Sequence, residues 1–270
     1  ESGKLVETLP GAFIQDLSEN PWPDREAINI PEYMRIWKDN HGQSSVSVIQ
    51  ARGCPYTCHW CSHSVYGNTH RRRTPEDAAD EVLWIKERYN PDLIWYADDV
   101  FTINSRWFFK YAEELKQRGV RIPFECISRA DRLNEEVVKT LAEMGCFRLW
   151  NGSESGSQKI LDAMERKVKV KDVQEKTHLL QKYGIETGMF IMLGYEGETI
   201  NDLQKQGYQV QVDKIGTGPM SKCIVTSVRN PQTVTQWVPY VGPGLGNRGT
   251  FLVPVITSQT ISVSLDCSQQ

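Results

Sequence analysis

Long apolar runs are missing from this chain: no stretch approaches the roughly 20 residues that cross a bilayer as a helix, and no secretory leader pattern opens it. A membrane span is therefore not expected, and a cytoplasmic location is. An excess of positive charge is missing as well, because 31 Lys and Arg stand against 34 Asp and Glu for a net charge of −3. Broad nucleic-acid or membrane-surface binding, which works through surplus Lys and Arg, is disfavoured. The one tight basic run, Arg71, Arg72 and Arg73, reads as a solvated loop. An even set of cysteines is the third absence. Seven cysteines cannot all pair, and three of them crowd positions 54, 58 and 61. That pattern suits a metal or cluster role in a reducing compartment better than a disulfide framework. What is present, 39% hydrophobic and 24% charged residues over 270 positions, suits a folded protein with one large core or two modest ones. The chain opens on Glu1 rather than Met, which fits a fragment or a trimmed chain.

From about residue 45 to 200 a short β-type run is repeatedly followed by an amphipathic helix, the sequence form of βαβ units on a parallel sheet. Residues 45–50 (SVSVIQ) form the first expected strand. Thr74 caps the next helix, Pro75 suits its first turn, and Ala78, Val82, Ile85 and Tyr89 make its apolar face. Residues 93–97, 124–127, 147–150 and 187–193 are the further strands. Between them lie helices whose apolar faces carry Trp107, Phe108, Tyr111 and Leu115, then Val137, Val138, Leu141 and Met144, the latter capped by Asn134 and ended by Gly145. Helical stretches near 158–164 and 172–183 complete the set. Such alternation closes into a full or partial barrel or a doubly wound sheet, with sites at the carboxyl ends of the strands. From 216 to 270 charge nearly disappears and β-type residues dominate; 223–228 is a candidate sixth strand, and 249–270 has no clear placement.

The stretch R-G-C-P-Y-T-C-H-W-C, directly after the first strand, puts three thiolates on one loop. Three thiolates can hold three irons of a cubane cluster and leave the fourth open to a small molecule. They can equally hold zinc if His59 or His63 supplies the fourth ligand of a tetrahedron. Cys126, Cys146, Cys223 and Cys267 read as small apolar packing residues, and His63 and His70 as polar loop residues. Asp98 and Asp99 either cap the turn at 104–105 or meet an amino group beyond their strand. Glu154, an acid among Ser and Gly just past an apolar run, lacks a packing role and is expected to meet a hydroxyl or a cation.

The C-x-x-x-C-x-x-C loop at Cys54, Cys58 and Cys61, with Trp60 before the last cysteine, resembles the signature of the radical S-adenosylmethionine superfamily, and the similarity runs from roughly residue 45 to 198. The stretches RRRTPEDAADEV, IWYADDVFTIN, PFECISRADR, RLWNGSESGSQKIL and GMFIMLGYEGET resemble the branch whose members often carry an N-terminal cobalamin-binding domain. The resemblance implies an α/β fold, a partial (β/α)6 TIM-like barrel over 45–215. Residues 1–44 would be an N-terminal linker or extension, and 216–270 the end of the barrel plus an irregular, β-biased or poorly ordered tail.

The same resemblance implies a [4Fe–4S] cluster on Cys54, Cys58 and Cys61. It also implies S-adenosylmethionine held by Asp98 and Asp99 at the amino end, by Ser128 and Arg129, by Glu154 and Ser155 at the ribose and carboxylate, and by Met192 to Gly194 on the adenine side. The expected activity is reductive cleavage of that cofactor to a 5′-deoxyadenosyl radical that abstracts hydrogen from a small-molecule substrate, with ferredoxin or flavodoxin as reductant and methyl transfer or cyclisation as outcomes. No residue is assigned as catalytic. Cobalamin is implied only through a region outside this chain, since no D-x-H-x-x-G motif occurs and Gly42 directly follows His41. Asn151, Tyr195 and Glu196 depart from the branch's pattern, and its sixth-strand region is faint around 225–233. Two other readings stand beside this one: a zinc-stabilised binding module using Arg71–Arg73, and a methylthiotransferase-like enzyme, whose usual basic C-terminal domain the nearly uncharged tail opposes.

Overall fold

A computed structural model describes residues 11–62, 67–219, 223–239 and 252–268. Contacts divide the described parts of the chain into two compact units, one comprising Glu1–Thr57, Cys61–Asn151 and Lys176–Gly188, the other Cys58–Trp60, Gly152–Glu175 and Met189–Gln270.

The first unit begins with short 3-10 turns at Leu17–Glu19 and Arg25–Ala27 and helix α1 at Ile30–His41, ended by Gly42. Strand β1 (Ser45–Val48) leads into a two-residue ladder between β2 (Ala51–Arg52) and β3 (Arg71–Arg72). Helix α2 (Pro75–Tyr89) follows, with the Thr74 side chain accepting from Asp77 N–H, and then β4 (Leu93–Tyr96). Helix α3 (Ser105–Gln117) is capped by Asn104 rather than by Asp98 or Asp99. Next come β5 (Phe124–Ser128), helix α4 (Glu135–Met144) with the expected Asn134 and Gly145 caps, and β6 (Cys146–Glu154). Helices α5 (Gln158–Ala163) and α6 (Val170–Lys182) precede β7 (Glu186–Ile191). The sheet order is β1-β4-β5-β6-β7, and the ladders β1–β4, β4–β5 and β5–β6 are parallel.

The faces named from the sequence form the core. Ala78, Val82, Ile85, Phe108, Tyr111, Val138 and Leu141 are all buried against Val46, Val48, Ile94, Tyr96, Phe124 and Leu149 of the strands. Tyr111 shows how polar atoms are settled inside. Its hydroxyl meets Tyr96 Oη at 2.7 Å and accepts from Gln50 Nε2 at 2.9 Å, so the phenol is fully buried without an orphaned oxygen. Burial pushes the Tyr111 pKa well up, and the phenol stays neutral.

The basic run departs from the solvated loop expected of it. Arg71 and Arg73 are 8% and 7% exposed. Arg71 donates to the Ile14 carbonyl and lies over the Phe13 ring, while Arg73 donates to the carbonyls of Asn20 and Pro21 and pairs with Asp77 at 2.8 Å. These guanidiniums fasten the N-terminal segment to the domain, Arg73 by satisfying two backbone carbonyls at once and Arg71 through one carbonyl and a ring. A basic docking surface for nucleic acid loses its main residues.

In the second unit, α7 (Ile200–Lys205) precedes a three-stranded sheet of order β8-β10-β9, formed by β8 (Gln209–Ile215), β9 (Ile224–Pro239) and β10 (Leu252–Asp266). The candidate sixth strand at 223–228 lies largely in β9, which pairs antiparallel with β10 and not with the five-stranded sheet. Cys223 and Cys267, expected as small packing residues, form a disulfide across a separation of 44 positions. Closing a loop of that length removes chain entropy from the unfolded state worth roughly 4 kcal/mol. Cys126 and Cys146 are buried thiols, as expected. No helix among the described residues is long and apolar enough to cross a membrane.

Candidate functional site

The cysteine loop is closed at its stem by protein groups. Gly53 stands at φ +83, and a Cβ there would come within 2.0 Å of the Thr69 carbonyl oxygen, so the strands of the stem approach only because this residue is glycine. Beside it, Asp98 Oδ1 accepts the backbone N–H groups of Gln50 (2.7 Å) and Ala51 (3.0 Å), and Oδ2 pairs with Arg72 Nη2 at 2.7 Å. Both partners are almost fully buried. Arg72 also donates to the Phe101 carbonyl and lies 4.2 Å over the Trp107 ring. The Asp98 carboxylate is thus committed to the stem, whereas Asp99 is exposed.

His70 lies one residue before β3. Among the described residues its Nε2 is buried without a hydrogen-bond partner, and burial, seconded by the charge of Arg72, lowers its pKa to about 4. The unfolded chain, with an ordinary histidine near 6.5, binds the proton more tightly than the folded one. Stability should therefore rise with pH between about 4 and 6.5 and flatten above. Denaturant melts across that window should show the slope, and His70→Gln should reduce it.

Of the three loop cysteines, Cys54 and Cys61 are half-buried and Cys58 is buried; none is in a disulfide. The segment Cys58–Trp60 packs on the chain just past α5. His59 N–H donates to the Met164 carbonyl at 3.0 Å, and its ring Nε2 lies 3.2 Å from Glu165 Oε1. Arg166 Nη1 lies 3.8 Å from Cys58 Sγ. The same guanidinium donates twice to the Gly152 carbonyl, at 2.8 and 3.1 Å, and its Nε stands 3.7 Å from Glu154 Oε1. Gly152 makes this possible, since a Cβ there would lie 2.4 Å from Arg166 Nη2 and 2.6 Å from Glu154 Oε1. Glu154 adopts φ 59 and is buried, with its carbonyl accepting from Met192 N–H. Arg166 is thus a cation beside Glu154, one of the two kinds of partner expected of it.

At the end of β5, Ser128 Oγ meets Thr102 Oγ1 at 2.6 Å, and Arg129, 2% exposed, pairs with Asp131 and lies 3.6 Å over the Tyr56 ring. In the second unit, Ser155 Oγ accepts from Ser157 N–H and from Gln206 Nε2, both at 3.1 Å. Gln206 also donates to Glu198 Oε1, and Glu198 Oε2 accepts Gly194 N–H at 2.6 Å. Glu198 is fully buried, which pushes its pKa up against those hydrogen bonds. One buried acid thereby joins the turn after β6 to the turn after β7. Met192 is half-buried and Gly194 exposed.

Each residue expected to meet cofactor lies at or just past the carboxyl end of its strand: Asp98 and Asp99 after β4, Ser128 and Arg129 at β5, Glu154 and Ser155 at β6, Met192 and Gly194 after β7. That end is where parallel α/β sheets bind ligands. Sequence reading missed Arg166, Glu198, Gln206 and the inward role of Arg72. Glu198 carried a signal in G-E-T; Gln206 carried none. Among the described residues no group of three or more His, Cys, Asp and Glu side chains stands gathered as a ready metal site. His63 lies outside the described residues, and His59 is turned to Ala163 and Glu165. The donor set is three thiols on one coil, with a buried guanidinium beside the middle one, and it suits an anionic iron–sulfur cluster, whose sulfurs take hydrogen bonds.

The family model described as Radical SAM superfamily matches residues 48–205, more than half of the chain. An uncharacterised methyltransferase of Pyrococcus horikoshii is 27% identical over 205 residues, 76% of this chain and 44% of that protein. An anaerobic magnesium-protoporphyrin IX monomethyl ester cyclase of Rubrivivax gelatinosus is 26% identical over 206 residues, 75% of this chain and 36% of that protein. The chain thus spans less than half the length of these curated relatives. The radical S-adenosylmethionine methyltransferase TsrM of Kitasatospora setae, solved with cobalamin and a [4Fe–4S] cluster bound, shares the fold with a TM-score of 0.53 at 19% identity, over 60% of this chain and 33% of that one.

Proposed function

This chain belongs to the Radical SAM superfamily, and from that premise we propose that it is the catalytic domain of an iron–sulfur enzyme that cleaves S-adenosylmethionine reductively and abstracts hydrogen from a small-molecule substrate, for methyl transfer or cyclisation. The observation that carries the reading is the loop of Cys54, Cys58 and Cys61, directly after the first strand, on a stem closed by Gly53 and Asp98. When bound, a [4Fe–4S] cluster on those thiolates supplies the electron that breaks the sulfonium bond.

The chain's own residues do the rest. Asp98 holds the stem of the loop, and its neighbour Asp99 meets the amino group of the cofactor. Ser128 and Arg129 present polar groups at the end of β5. Glu154 and Ser155 take the ribose and carboxylate, with Arg166 and Gln206 fixing their orientation. The backbone from Met192 to Gly194, steadied by Glu198, receives the adenine. Cobalamin, if the full protein uses it, is held by a region outside this chain. A low-potential protein such as ferredoxin or flavodoxin is the electron donor.

Anaerobic reconstitution with iron and sulfide tests the reading. The expected product is a brown protein with about four irons that forms 5′-deoxyadenosine when reduced in the presence of S-adenosylmethionine. A colourless protein holding one tightly bound zinc would overturn it.

A further inference from the structure

Arg166 stands beside the sulfur of Cys58, the middle cysteine of the loop. It is 6% exposed, two of its nitrogens are spent on the Gly152 carbonyl, and the remaining one reaches Cys58 Sγ at 3.8 Å while its Nε stands 3.7 Å from Glu154. The placement is built into the backbone. The turn after α5 runs through two left-handed non-glycine residues, Glu165 (φ 50) and Lys167 (φ 54), on either side of Arg166, and Arg166 N–H closes back on the Leu161 carbonyl at 2.9 Å. Left-handed conformations at residues with a Cβ carry strain that the surroundings must hold. Gly152 clears the space that the guanidinium fills. Cys58 is brought to the same place by the His59 to Met164 hydrogen bond.

We infer that Arg166 tunes the electron affinity of the iron–sulfur cluster through its hydrogen bond to the Cys58 sulfur, with Glu154 as an opposing charge that limits the effect. The inference rests on the cluster reading above and adds a role for two side chains of this chain. Reduction adds a negative charge to a cluster that is already anionic. A fixed cation and an N–H donor at one of its sulfurs favour the reduced state, and a carboxylate nearby disfavours it. Arg166 is a positioning residue in this role, since it acts through Cys58. A purely structural arginine would alter folding or cluster content, and would leave the potential of an assembled cluster where it was.

The test is a redox titration of the reconstituted full chain, followed by electron paramagnetic resonance without S-adenosylmethionine. Arg166→Met should make reduction about tenfold less favourable, the size of one charge-assisted hydrogen bond, which is about 59 mV lower for a one-electron couple. Glu154→Gln, which leaves the guanidinium and removes its counter-charge, should move the potential the other way by a smaller factor. Opposite shifts support the inference. If the wild-type protein takes up no iron, the cluster reading itself falls. If wild type and Arg166→Met both carry the cluster at the same potential, the reading stands and this inference is overturned. Should Arg166→Met hold no iron, Glu154→Gln decides alone, and an unshifted potential there overturns the inference.

Discussion

Cys58→Ala is expected to abolish iron uptake beyond a residual fraction and with it all 5′-deoxyadenosine formation, while far-ultraviolet dichroism stays at the wild-type level. The first half follows from ligand count: two thiolates cannot replace three for a cubane. The second half follows from position. Cys58 lies in no helix or strand, its side chain is small, and Arg166 keeps the Gly152 carbonyl and Glu154 when the sulfur goes. Iron and sulfide analysis together with product chromatography checks both halves. Deoxyadenosine formed at the wild-type rate by the alanine variant would remove these cysteines from the cofactor.

Asp98→Ala is expected to be the most damaging single change to the fold of the loop. It leaves the Arg72 guanidinium buried without its carboxylate and strips two backbone N–H groups, those of Gln50 and Ala51, of their acceptor. Breaking a buried pair from one side costs about 3–5 kcal/mol. For a domain of this size that lowers the melting temperature by roughly 6–20 °C. Asp98→Asn, which keeps an acceptor for the two N–H groups, should lose less. The measurement is a thermal melt of the iron-free protein. If Asp98 served only to contact the cofactor, the iron-free protein would melt unchanged.

The strand and helix succession was legible because each signal was local. Thr74, Asn134 and Gly145 act within one turn of where they stand, and the apolar faces need only a period to be recognised. The cysteine loop was legible for the same reason: spacing alone names three sulfurs. What escaped reading depends on contacts between distant positions. Arg166 meets Cys58 across 108 residues, and Arg72 meets Asp98 across 26, so a run of three arginines looks solvated until the fold brings carbonyls to it. Cys223 and Cys267 become partners only when β9 and β10 form their ladder, which no residue pattern around them announced. The 12-residue helix α1 was missed within a stretch read as linker, although Ile30, Tyr33, Met34 and Trp37 recur at helical spacing and Asn29 caps it.

The stem closed by Gly53 and Asp98 has one more consequence. Small zinc folds unravel under chelators because the ion is their framework; here the scaffold is made of carbon, nitrogen and oxygen contacts alone. If the three thiols carry a cluster as proposed, its loss leaves these contacts untouched, so the iron-free chain is expected to keep the stem that a new cluster needs.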